Sequence, residues 1–132
     1  MTPEELARSC AIVASEKKGT QLSILNIGKV SDVADFFVIA SGASTRQIKT
    51  IADAIEAFSK SISEFPKIEG YQQAQWIVID LGDVVIHLFT EEYRQYYDLD
   101  TLWMDAPRIK LSGKGVETEE LKEMTWVAKK RR

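Results

Sequence analysis

Trp76-Ile77-Val78-Ile79-Asp80-Leu81-Gly82-Asp83-Val84-Val85-Ile86-His87-Leu88-Phe89 restricts this chain more than any other stretch. It holds two apolar runs separated by a single turn signal, the pattern of a β-hairpin. With Leu81-Gly82 as the turn, the pattern pairs Asp80 with Asp83, Ile79 with Val84, Val78 with Val85, Ile77 with Ile86 and Trp76 with His87. Strand side chains alternate between faces, so Ile77, Ile79, Val84, Ile86 and Leu88 share a core face. Trp76, Val78, Asp80, Asp83, Val85, His87 and Phe89 share the other. Two aromatics, two valines, a histidine and two acids on one face resemble a protein-binding surface more than a solvated one.

At 132 residues the chain can bury one hydrophobic core and not two. No apolar run approaches the roughly 18 residues of a membrane span. The start, Met1-Thr2-Pro3-Glu4-Glu5, is acidic where a signal or transit peptide is basic, so a cytoplasmic protein is expected. Charge divides the chain: residues 1–104 hold 9 Lys/Arg against 15 Asp/Glu, and residues 105–132 hold 8 against 5. An acidic body argues against binding nucleic acid through its phosphates and suits a basic protein partner. The terminal Lys129-Lys130-Arg131-Arg132 has the charge to touch nucleic acid but is expected to be solvated.

Thr2, Pro3 and Glu5 form a capping-box start, and Leu6, Cys10 and Val13 follow at helical spacing, which predicts a first helix of about four turns. Strands are expected at Leu22 to Ile27 and Phe36 to Ala40. Ser44 with Gln47 opens the clearest helix, marked by Ile48, Ile51, Ile55, Phe58 and Ile62. Its place between the strands at Phe36 and Trp76 suggests a crossover joining parallel strands, with residues 65–70 as linker. Thr90 with Glu91 and Glu92 opens a short helix, and Tyr93, Tyr96, Tyr97, Leu99, Leu102 and Trp103 make that region aromatic. The expected architecture is α/β: a small mixed sheet of four or so strands with helices packed on it, occupying residues 1–104. A charged, flexible tail over 105–132 follows, with at most one weak helix near Glu119 to Val127.

Catalytic chemistry finds little support in these residues. Ser41-Gly42-Ala43-Ser44-Thr45-Arg46 lies at a strand end and helix start, where a phosphate can bind, but has one glycine and no P-loop lysine. It reads as a turn and a cap. Asp32 with Asp35 and Asp80 with Asp83 are the carboxylate pairs a Mg²⁺ site would need, yet neither is an Asp-x-Asp pair on one strand face. His87 is the only histidine, and Cys10, the only cysteine, lies on the apolar stripe of the first helix, buried and inert. We therefore expect no catalytic residues, no metal and no cofactor. His87 has two readings: a wall of a contact patch, or a residue packed under Trp76. Trp76 itself reads as partly exposed, with core placement as the alternative.

Ala34-Asp35-Phe36-Phe37-Val38-Ile39-Ala40-Ser41-Gly42, Ser44-Thr45-Arg46, Ile51-Ala52-Asp53, the hairpin from Trp76 to His87, and Tyr97-Asp98-Leu99-Asp100-Thr101-Leu102-Trp103 occur in the order found in a known family. Over roughly residues 3–104 the chain resembles the ribosomal silencing factors, also called Iojap-like proteins. The resemblance implies a nucleotidyltransferase-like α/β fold without catalytic residues. It also implies binding to the large ribosomal subunit through its fourteenth protein, which blocks joining of the small subunit and represses translation when nutrients are scarce. The alternative is a nucleotidyltransferase-like enzyme or nucleotide-binding protein. Carried over, the resemblance implies Trp76, Asp80, Asp83 and His87 as partner-binding residues, with Tyr96 and Tyr97 in the flanking stretch, and Val78, Val85 and Phe89 join them as members of the same hairpin face. Family members also form homodimers, which an apolar hairpin suits. Neither a membrane nor a sequence-specific nucleic-acid partner is expected, and the tail after Asp105 has no common role in the family.

Overall fold

The computed structural model describes residues 1–111. Its elements run α1 (Pro3–Glu16), β1 (Thr20–Leu25), β2 (Phe36–Gly42), α2 (Thr45–Ser61), β3 (Lys67–Glu69), β4 (Trp76–Asp80), β5 (Val84–Thr90), α3 (Glu91–Tyr97), α4 (Leu99–Leu102) and β6 (Arg108–Ile109). The expected helix near Glu119 to Val127 lies outside the described residues.

Both long helices start where their caps predict. The Thr2 hydroxyl accepts from the Glu5 N–H while the Glu5 carboxylate accepts from the Thr2 N–H, a complete capping box. At α2 the Ser44 hydroxyl accepts from the Gln47 N–H, but the Gln47 side-chain oxygen reaches the Ala43 N–H instead of closing the box on Ser44. Its amide donates to the Lys18 carbonyl, tying the end of α1 to the start of α2.

The six strands form one mixed sheet in the order β3-β4-β5-β2-β1-β6. The parallel pair is β2 with β5, not β2 with β4. After α2 the chain descends the far edge through β3 and β4, and only the second arm of the hairpin returns beside β2. The burial explains the choice: every residue of β2 is buried and β5 is buried at five of seven positions, whereas β4 alternates. The linker over residues 65–70 contains the edge strand β3, and the region after Asp105 adds β6 against β1, with Ala106 and Leu111 buried.

α1 and α2 cover one sheet face, packing Leu6, Cys10, Ile48, Ile51 and Ile55 against Ile77, Ile79, Ile86 and Leu88. The opposite face carries a second core of Leu25, Ile27, Ala34, Phe37, Ile39, Phe89, Leu99 and Ala106. Among the described residues no long helix lies over that face. Its cover is the short α3–α4 segment and the loop after β1, with Trp76, Val85, Tyr93 and Trp103 partly buried at its margin.

Candidate functional site: an aromatic docking face

The hairpin face forms as its alternation predicts, but its pairing differs. Asp80 faces Val85, Val78 faces His87 and Trp76 faces Phe89, so each partner lies two residues beyond the expected one. Leu81 and Val84 close the turn through the Leu81 N–H and Val84 carbonyl, leaving Gly82-Asp83 as the two-residue loop. Gly82 adopts φ +88°, the positive φ a glycine supplies at such a position. The Asp80 carboxylate accepts from the Gly82 N–H at 2.8 Å and so stabilises this turn. A slip of two residues leaves every side chain on its original face, so the alternation gives the right core face although the partners differ.

Trp76 is half-buried at the open edge of the second core. Its ring stacks on Phe89 at 5.0 Å between centroids and leans on Tyr97 at 4.6 Å. Its Nε1–H donates to Nδ1 of His87 at 3.2 Å. Of the two readings for His87, the structure therefore takes the second. The imidazole is 7% exposed and packs beneath the tryptophan, with Phe37 edge-on to it at 4.6 Å. Burial pushes its pKa down to about 4, so the ring is neutral at ordinary pH. Phe89 is fully buried and supports Trp76 from below, presenting no surface of its own.

Val78 and Val85 are half-buried on the same face, and Asp80 and Asp83 are exposed at the turn. Asp83 belongs to the loop and not to a strand; its carbonyl accepts from the N–H groups of Asp35 and Phe36, which anchors the hairpin tip to the start of β2. Tyr96 is 78% exposed and Tyr97 44%, their rings edge-to-face at 5.0 Å. Leu102 and Met104 are also exposed in the segment that follows α3. Sequence reasoning placed Leu102 in the aromatic region and had no signal for Met104.

The residue that sequence reasoning missed is Arg94. It is the only base among the tyrosines of α3, and it points inward. Its guanidinium donates to both oxygens of Asp100, to the Ser41 and Ser23 hydroxyls, and to the carbonyl of Gln21. That carbonyl is available because β1 bulges between Thr20 and Ser23, with Gln21 at φ +51°. Burial pushes the Asp100 carboxyl up, but the hydrogen bonds and charges of Arg94 and Arg108 outweigh it and hold the carboxyl below its usual value. Arg94 thus clamps the segment bearing Tyr96 and Tyr97 to β1 and β2.

Other chemistry has little to build on. Cys10 is buried under α1, and burial pushes its thiol up to about 12, so it stays protonated and unreactive. Among the described residues, no three His, Cys, Asp or Glu side chains converge as a metal site requires, and no helix is long and apolar enough to cross a membrane.

Comparison with known proteins assigns a family to this chain. The family model described as ribosomal silencing factor during starvation matches residues 1–132. The ribosomal silencing factor RsfS of Halalkalibacterium halodurans is 40% identical over 114 residues, covering 86% of this chain and 97% of that protein. A mouse protein named mitochondrial assembly of ribosomal large subunit protein 1 is 29% identical over 92 residues, 67% of this chain and 40% of the mouse protein. A crystal structure of a Chromobacterium violaceum protein superposes with a TM-score of 0.76 at 25% identity, covering 91% of this chain and 98% of that one. The chain belongs to the ribosomal silencing factor family.

Proposed function

We propose that this protein docks on the large ribosomal subunit through the Trp76 face, and that the bound protein occupies space the small subunit needs. The observation that carries this reading is the half-buried Trp76, clustered with Phe89 and Tyr97 on the sheet face that no long helix among the described residues covers. Interface hot spots favour such an arrangement: a large aromatic already ordered by its neighbours, so that little freedom is lost on binding. Family membership points to the ribosome, and the name of the mouse relative points to its large subunit.

Charge favours a basic partner on that subunit. Asp80, Asp83, Glu91, Glu92 and Asp98 are exposed on the hairpin and the α3 segment beside the aromatics. Their field speeds encounter with a basic surface, while burial of the tryptophan slows release. The partner we assign is the fourteenth protein of the large subunit, contacted by Trp76, Val78, Val85, Tyr96 and Tyr97 with Asp80 and Asp83 at the rim. His87 and Phe89 act from beneath. The effect is steric and non-enzymatic: joining is blocked and translation falls under nutrient limitation. Two copies meeting through the same face would compete with ribosome binding.

Sucrose-gradient fractionation of a bacterial cytoplasmic lysate tests the reading. The protein should travel with free large subunits and be depleted from joined ribosomes. Migration with small subunits, or only at the top of the gradient, would overturn it.

A further inference from the structure

The imidazole of His87 holds a buried nitrogen, Nε2, with no hydrogen-bond partner among the described residues. A neutral imidazole has one donor and one acceptor nitrogen; since Nδ1 accepts from the Trp76 indole, the proton must lie on Nε2. The fold therefore seals an N–H donor among aromatic rings: Phe37 at 4.6 Å, Trp76 at 6.0 Å and Phe89 at 6.4 Å. An unmet buried donor is destabilising, and a phenylalanine in this aromatic nest would bring no such donor. Packing alone does not account for a histidine here. What the imidazole offers and a benzene ring lacks is the Nδ1 lone pair.

We propose that His87 is the positioning residue of the docking face, its Nδ1 holding the Trp76 indole with N–H turned inward so that a partner meets the hydrocarbon part of the ring. The inference rests on the docking function proposed above. It makes the tryptophan contact apolar, since the only indole donor is already used inside the fold. It also separates two properties that normally fall together. Stability gains from replacing His87 by an aromatic hydrocarbon, while docking loses.

The test combines binding to purified large subunits, thermal unfolding, and the indole ¹⁵N–¹H resonance of Trp76. His87→Phe should unfold no lower than wild type, because the half-buried Trp76 can turn its freed indole N–H to water, and should shift the indole resonance to that of a solvent-bonded N–H. It should bind large subunits about tenfold more weakly, because that N–H must then be desolvated against the partner without its acceptor. His87→Asn, which places an acceptor oxygen near the Nδ1 position, should lose stability yet recover binding and the bonded resonance. Binding losses that track stability across the two variants, or wild-type binding by His87→Phe, would overturn the inference. In the wild type the Trp76 indole proton should exchange slowly with solvent, and fast exchange would overturn the inference without any variant. If the wild type itself does not bind large subunits, the docking function fails. The link between His87 and Trp76 is then decided by the indole resonance alone.

Discussion

Arg94 on α3 and Asp100 on α4 meet through two parallel hydrogen bonds, Nε to Oδ2 at 3.0 Å and Nη2 to Oδ1 at 3.1 Å. Arg94 is nearly buried, and its remaining donors are taken by Ser41, Ser23 and the Gln21 carbonyl, so removing it strands several partners at once. Arg94→Ala should destabilise the fold by about 3 kcal/mol, as for a broken buried pair, measured by urea denaturation. Arg94→Lys should recover only part, because an ammonium cannot reproduce the planar two-point contact.

Trp76→Ala should weaken binding to large subunits by about 2 kcal/mol or more while the protein remains folded. Trp76 sits at the margin of the second core and is half-buried, so its truncation should cost less stability than the ~3–5 kcal/mol of a fully buried large aromatic. Co-sedimentation and circular dichroism on the same preparation check both halves.

Stability should depend on pH through His87. Its folded pKa, about 4, lies below the ordinary 6.5, so between these values the unfolded chain takes up a proton that the folded protein refuses. Stability should therefore fall as pH drops from 6.5 towards 4, by at most about 3 kcal/mol from this group, with no further loss from it at lower pH. Carboxylates titrate in part of the same window. The comparison of wild type with His87→Phe by denaturant titration at pH 7 and 4.5 isolates the histidine: the variant should show the shallower loss.

Two glycines at positive φ should respond differently to alanine. At Gly82, φ +88°, a Cβ would meet nothing within 4 Å, so only the backbone conformation opposes it, about 1 kcal/mol. At Gly70, φ +82°, a Cβ would lie 2.2 Å from the Trp76 carbonyl oxygen, so β4 must move at the residue that carries the indole ring. Gly70→Ala should lower the thermal midpoint more than Gly82→Ala and, unlike it, impair binding to large subunits.

Local signals in the chain reveal local structure well. The Thr2–Glu5 box, the isoleucine stripe of α2 and the alternation of the hairpin each led to an element found in place, because cap, stripe and alternation act over a few residues. Features set by distant partners were not visible. The hairpin register depended on Asp80 bonding the Gly82 N–H, and the parallel neighbour of β2 depended on which hairpin arm both cores could bury. β3 and β6, of three and two residues, are too short to show any period. The role of Arg94 arises from groups more than 50 residues away in β1 and β2. On the aromatic hairpin face, composition marks Trp76 and the tyrosines, but whether His87 and Phe89 lie beside or beneath them is a matter of packing depth.

The most direct measurement is subunit joining with the Trp76 face intact or removed. Purified large subunits are incubated with the protein, small subunits are added, and the mixture is resolved on a sucrose gradient. The wild type should sediment with large subunits and reduce the joined-ribosome peak, and Trp76→Ala at the same concentration should leave that peak near its level without protein. Suppression of joining by Trp76→Ala as strong as that by the wild type would contradict the account.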